Sequence, residues 1–170
     1  MNINLKTFIE SKIPFEEFTS TRLIDSEESL RWIPIISYGE HQTIIGLSRD
    51  AKWVIKEKEG LRILDETWKF LRLLVLLEQP RKKLVESLEE ALGNYEIIVN
   101  VDEIFPFVEI VKIGFEQKSD YWVELALNWF AELPLIKQKL LLESLIDIVN
   151  ARWASQMLRH RAKKILRNIQ

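Results

Sequence analysis

Residues 32–64 constrain the fold more than any other stretch. The runs WIPII (32–36), TIIGLS (43–48), AKWVIKEK (51–58) and LRIL (61–64) are rich in β-branched and aromatic residues, which suit a pleated, half-buried surface. Only the segments 37–42, 49–50 and 59–60 separate them. Parallel neighbours need a crossover of roughly a dozen residues, so connections this short dictate an antiparallel meander. Pro34 has no N–H for a ladder, which places it at an edge or a strand start. Lys56 and Lys58 alternate with other residues, as in a half-exposed strand.

Helical signals dominate the rest. Residues 3–18 read as a short helix followed by an irregular segment after Pro14, and 25–30 as a capped turn or short helix. Asp65 is a candidate N-cap for an α-helix over 66–78, apolar on several faces and therefore packed on the sheet. Pro80 opens a helix carrying Leu84, Leu88 and Leu92, which Gly93-Asn94 ends. Residues 95–101 read equally as an isolated strand or a loop. Asp102 is then expected to cap a helix bearing Ile104, Val108, Val111 and Phe115, with Pro106 in its first turn.

Ser119 or Asp120 caps the next helix, which carries Trp122, Leu125, Trp129 and Phe130 and breaks at Leu133-Pro134. Helices over 135–149 and about 154–168 follow, with Leu141, Leu145, Ile148 and Val149 on the first and Leu158, Ala162, Ile165 and Ile169 on the second. Short breaks make such helices antiparallel neighbours. The expected architecture is α+β: a small, mostly antiparallel sheet packed on helices over residues 1–93, then an antiparallel helical extension over 102–170, packed as one compact unit.

The residue inventory narrows the chemistry. There is no cysteine, which removes disulfides, thiolate nucleophiles and thiolate metal sites together and fits a reducing compartment. The N-terminus has no basic region followed by an apolar run, and the longest unbroken apolar run, 73–77, is far short of a membrane span. A cytoplasmic protein without membrane contact is the expectation. No GxGxxG, P-loop or GxSxG occurs, and His41 and His160 lie far apart in the chain. The expectation is a non-enzymatic protein with no catalytic residues, no metal and no cofactor. The carboxylate pairs Glu27-Glu28, Glu89-Glu90 and Glu57/Glu59 read as solvated faces.

His41 lies in SYGEHQT (37–43), between two isoleucine-rich runs. Adjacent strand residues point to opposite faces, so Glu40 is badly placed to orient His41 as a base. Glycine among polar residues is the composition of a hairpin connection. The segment therefore reads as a turn, with Tyr38, Glu40 and His41 as candidate partner-binding residues at its edge.

Charge is unevenly spread. Residues 151–170 hold six Lys/Arg and no acid, leaving residues 1–150 with 18 basic and 26 acidic groups. Within RHRAKKILR (159–167), Arg159, Arg161, Lys163, Lys164 and Arg167 surround a narrow apolar stripe. Such cations can stabilise the helix dipole, dock on acidic surface of this chain or a partner, or contact phosphates. The first two readings are favoured, because no recognition motif or aromatic interleaving accompanies the basic run. Arg159, Arg161, Lys163 and Lys164 are nonetheless candidate partner-binding residues, and a regulatory or nucleic-acid-associated factor is the alternative function. Of the tryptophans, Trp68, Trp122 and Trp129 sit at core-like positions, Trp32 and Trp53 can pair across the sheet, and Trp153 falls between helices, half exposed.

The span 30–77 resembles the SUKH superfamily, which includes many bacterial immunity proteins that neutralise toxins. RWIPIISYGEHQTIIGLS is similar to the family's strand, Gly-containing turn and second strand. AKWVIKEKEG resembles its third strand, and LDETWKFLRLLVLLE its closing helix. SDYWVELALNWF is similar to an aromatic helix near the end of some members, while 133–170 have no counterpart. The resemblance implies an α+β fold with a central antiparallel sheet, no catalysis and a protein ligand. The acidic balance of residues 1–150 adds that a basic partner, such as a nuclease toxin, fits such a surface.

Overall fold

A computed structural model describes residues 3–169 of the chain. The fold is α+β: a five-stranded antiparallel sheet with helices before and after it. The sheet is a simple meander of β1 (Thr19–Arg22), β2 (Ser29–Tyr38), β3 (Thr43–Ser48), β4 (Trp53–Glu57) and β5 (Gly60–Ile63). It curls into a half-barrel. A bridge between Leu23 and Leu61, and the hydrogen bond from the Ile24 amide to the Leu61 carbonyl, bring the first strand round to the last.

The helices are α1 (Ile3–Lys12), α2 (Arg81–Gly93), α3 (Val101–Ile104), α4 (Phe107–Glu116), α5 (Asp120–Glu132), α6 (Leu135–Leu140), α7 (Leu142–Asn150) and α8 (Gln156–Ile169). Two 3₁₀ segments add to them, Phe15–Glu17 and Thr67–Glu78. Among the described residues no helix is long and apolar enough to cross a membrane.

The chain forms two units, each drawn from two separate segments. Residues 1–69 and 82–105 make the sheet unit, and 70–81 and 106–170 the helical unit. The expected division at residues 93–102 differs from this pattern. The reason is side-chain attachment: α3 stays with the sheet because the Trp53 indole N–H donates to the Ile104 carbonyl at 2.6 Å and the Trp53 ring meets Phe105 edge-on at 5.0 Å.

In the sheet unit, Ile33, Ile45, Leu47, Val54 and Ile55 are buried along the strands, together with Leu5 and Ile9 of α1, Ile13 just after it, and Leu84, Leu88 and Leu92 of α2. Lys6 of α1 reaches Asp50 at 3.0 Å, tying the helix to the β3–β4 turn. Pro34 is not at a strand start, but one side of it is a local sheet edge, as expected of a residue with no N–H to donate. It sits mid-β2 at a bulge, where the register with β3 shifts between Pro34 and Ile36 and β1 has already ended at Trp32. A bulge removes the demand for its missing N–H. Opposite it stands Gly46, where any Cβ would run into the Ile33 carbonyl and the Trp32 ring.

Residues 67–78 wind as a 3₁₀ helix instead of the expected α-helix. From residue 72 onward burial repeats every three residues: Arg72, Val75 and Glu78 are exposed, while Leu73, Leu74, Leu76 and Leu77 are buried. Three residues per turn is the 3₁₀ period, and it keeps two leucine columns inside.

Asp102 is not a cap. The Asn100 side chain accepts the Asp102 amide at the start of α3, which ends after one turn, and α4 begins only after Pro106. Ser119 does cap α5, its hydroxyl accepting the Trp122 amide.

In the helical unit α4 packs on α5 and α7 on α8. Trp129 and Phe107 meet at 5.7 Å, and Phe115 and Phe130 at 6.0 Å. Residues 70–81 belong here because the Trp129 N–H donates to the Gln79 carbonyl at 2.9 Å and the Arg81 guanidinium lies 4.4 Å from the Phe107 ring centre. The expected helix over 135–149 is two helices, because Leu141 leaves helical geometry at φ −107°, ψ 8°.

Candidate functional site

The hairpin tip is a turn. Residues 39–42 join β2 to β3, with the Gln42 amide bonded to the Gly39 carbonyl at 3.1 Å. Gly39 and Gln42 take positive φ of 73° and 47°, as a tight reversal requires. Tyr38 is the last strand residue and half-buried, whereas Glu40 and His41 are exposed. Neither Glu40 nor His41 meets a polar partner among the described residues.

A more structured arrangement lies at β5 and the chain leaving it. Arg62 is 8% exposed, although strand charges usually face water. Its Nε donates to Glu57 Oε1 at 2.8 Å and its Nη2 to Glu57 Oε2 at 3.3 Å, so the guanidinium forks one carboxylate. Its Nη1 reaches Asp25 Oδ2 at 3.2 Å. Glu57 is thus a pinned partner rather than part of a solvated face.

Lys69, equally buried, lies 2.6 Å from Asp65 Oδ1 and 3.0 Å from Glu66 Oε1. Asp65 therefore spends its carboxylate on Lys69. Trp68, expected in the core, is 55% exposed. Its indole N–H donates to Glu66 Oε2 at 3.1 Å, and its ring centre is 5.6 Å from both the Arg62 guanidinium carbon and the Lys69 ammonium. Cations at that distance are attracted by the ring face. A cleft of about 170 Å³ lined by Leu23, Asp25, Ser26, Ile63 and Asp65 opens beside the two cations.

The electrostatics favour the charged forms of Arg62, Lys69, Asp65 and Glu66. The hydrogen bond to Glu57 raises the Arg62 pKa despite burial. Burial alone lowers the Lys69 pKa, but its hydrogen bonds to Asp65 and Glu66 prevail and raise it. The Lys69 hydrogen bond holds both the Asp65 and the Glu66 carboxyls below their ordinary values. The result is an exposed indole, fixed in orientation, among carboxylates that remain open to water on their outer sides.

The basic run falls on α8, and the structure divides it. Arg161 donates to the Glu124 carboxylate at 3.1 Å, to the Glu124 carbonyl at 3.4 Å and to the Asn128 side-chain oxygen, so it docks α8 on α5. Arg159 is half-buried and Lys163 and Lys164 are exposed; none of the three makes an ion pair among the described residues. Trp153 is half exposed between α7 and α8, as its position implies. Trp32 and Trp53 do not pair, because β3 separates their strands. The units differ in charge: the sheet unit holds 18 acidic and 12 basic side chains, the helical unit 8 and 12.

Among the described residues no group of three or more His, Asp or Glu side chains is placed to hold a metal ion. The chain matches no family model, no curated protein and no solved structure.

Sequence reasoning missed the Arg62–Lys69 arrangement. One signal was present: Lys69 follows Asp65 by four residues and Glu66 by three, the spacings of helical ion pairs. Nothing local marked Arg62, whose partners come from the preceding strand and from the β1–β2 connection.

Proposed function

We propose that the chain is a non-enzymatic protein-binding module whose sheet unit engages a basic protein, in the manner of a bacterial toxin-immunity protein. One observation supports this above the others: Trp68 is exposed yet held by Glu66, Arg62 and Lys69. A pre-ordered ring loses little rotamer freedom when a partner covers it. Tryptophan also ranks among the residues that dominate interface energies. Asp25, Asp65 and Glu66 around it, and the acidic excess of the sheet unit, favour a partner rich in lysine and arginine. The hairpin residues Tyr38, Glu40 and His41 are a second contact edge in this reading, and the likeness of residues 30–77 to the SUKH superfamily agrees with it.

The test uses the full chain as bait in lysate of its own host. Wild type, Trp68→Ala and the triple alanine variant of Tyr38, Glu40 and His41 are compared. The expected prey is a basic protein that Trp68→Ala fails to retain. Purified, that protein should be toxic or enzymatically active alone and silenced by the wild-type chain. Equal capture by wild type and Trp68→Ala, or an unaffected prey, defeats the proposal.

The alternative of a regulatory or nucleic-acid-associated factor draws on the cations of α8 that meet no carboxylate. Leu158 and Ala162 are buried, so deleting the helix would disturb the fold. Glutamine at Arg159, Lys163, Lys164 and Arg167 is the cleaner probe. Elution of that variant from polyanion resin at the wild-type salt concentration would dismiss the alternative.

A further inference from the structure

The cations of α8 are not equivalent, and their placement goes beyond the protein-binding reading. Arg159, His160 and Lys163 line a cleft of about 300 Å³ with Val149 and Asn150 at the end of α7 and Gln156 at the start of α8. No carboxylate lines it, although the chain holds more acids than bases. Lys164 and Arg167 lie outside its lining.

We propose that this cleft binds a compact phosphate-bearing anion. Arg159 and Lys163 are four residues apart and His160 and Lys163 three, so their side chains are neighbours on adjoining strips of the helix. The Nε of Arg159 is shielded from water and has no acceptor among the described residues. Arg159 also lines the cleft, where its guanidinium can offer a phosphate oxygen a charge-assisted bond. The scaffold is set in advance: Arg161 pins α8 to Glu124 and Asn128, the Ser155 amide donates to Asp120, and the Ser155 hydroxyl accepts the Leu158 amide. Donors gathered at one cleft suit a single phosphoryl group. A long nucleic acid strand would draw on Lys164 and Arg167 as well, since backbone binding recruits cations spread along a surface.

Calorimetric titration of the full chain with inorganic phosphate, pyrophosphate and adenosine monophosphate at low ionic strength tests the site. Saturable binding of at least one probe is expected. Arg159→Gln/Lys163→Gln should weaken it at least about tenfold, the usual scale for a lost charge-assisted bond. Lys164→Gln/Arg167→Gln should leave it unchanged. Tighter binding of the nucleotide than of phosphate identifies an ester ligand, and the reverse order the free ion. His160→Gln/Lys163→Gln alters only exposed side chains and must also weaken binding, which keeps the test valid if the Arg159 change impairs folding. Absence of saturable binding, or equal loss in the two pairs on and off the cleft, overturns the site. So does a single-stranded oligonucleotide that binds more tightly than every small probe and responds equally to both pairs.

Discussion

The indole N–H of Trp53 donates to the carbonyl oxygen of Ile104 across 2.6 Å, joining residues 51 positions apart. Trp53→Phe keeps the ring contact with Phe105 but leaves that carbonyl without this donor. Loss of such a buried bond costs about 1–3 kcal/mol. Urea denaturation should report a lowered midpoint at an unchanged slope, which is the mark of lost stability without altered compactness.

Gly46 faces Pro34 across the β2–β3 ladder, with no room for a methyl group between the Ile33 carbonyl and the Trp32 ring. Overpacking of this kind costs about 1–3 kcal/mol. Gly46→Ala is expected to lower the thermal midpoint, whereas Gly39→Ala, where space is open but φ is positive, should cost only the local backbone strain. Comparison of the two melting curves separates packing from conformation.

Asp65 titrates below its ordinary value of 3.8 because Lys69 donates to it. A depressed carboxyl contributes stability above its unfolded value and loses it as pH falls through its folded value. The melting difference between wild type and Asp65→Asn should therefore be present at pH 7 and close as pH drops below 3.8. The carboxylate is half exposed, so the difference at neutral pH should stay below about 1 kcal/mol.

Arg62 is the most buried cation of the Trp68 cluster that forks a carboxylate. Arg62→Met removes the charge from beside Glu57 while keeping apolar volume, and a broken buried pair costs up to about 3–5 kcal/mol. The expected result is a large fall in stability. Trp68→Ala, at an exposed ring, should change stability by less than about 1 kcal/mol. Far-ultraviolet circular dichroism with chemical denaturation distinguishes the two, and the contrast shows whether the cluster stabilises the fold while its indole is left for recognition.

The meander was legible in the sequence because its strands are β-branched and its connections short; β3 occupies the expected 43–48. The first strand was not legible. TSTR is polar and exposed, and its place depends on pairing with Ser29–Trp32 rather than on an apolar pattern. The exposure of Trp68 is not legible from either period: a spacing of three lines it up with buried Leu74 and Leu77, and the regular burial pattern holds only from residue 72 onward. The break at Leu141 has no proline or glycine to announce it. The tip of the hairpin was readable from glycine and polar composition. The Arg62–Lys69 arrangement was not, since Asp25 and Glu57 converge on Arg62 only once the sheet has formed.

The discontinuous make-up of the sheet unit bears on synthesis. A ribosome that has just released residue 69 has delivered every strand, yet Trp53 still lacks Ile104 and Phe105, and the leucines of α2 have not been made. Until translation passes Phe105, the Trp53 side of the emerging sheet lacks its cover. Stop codons or cleavage within 70–100 should then yield insoluble fragments rather than a smaller folded protein.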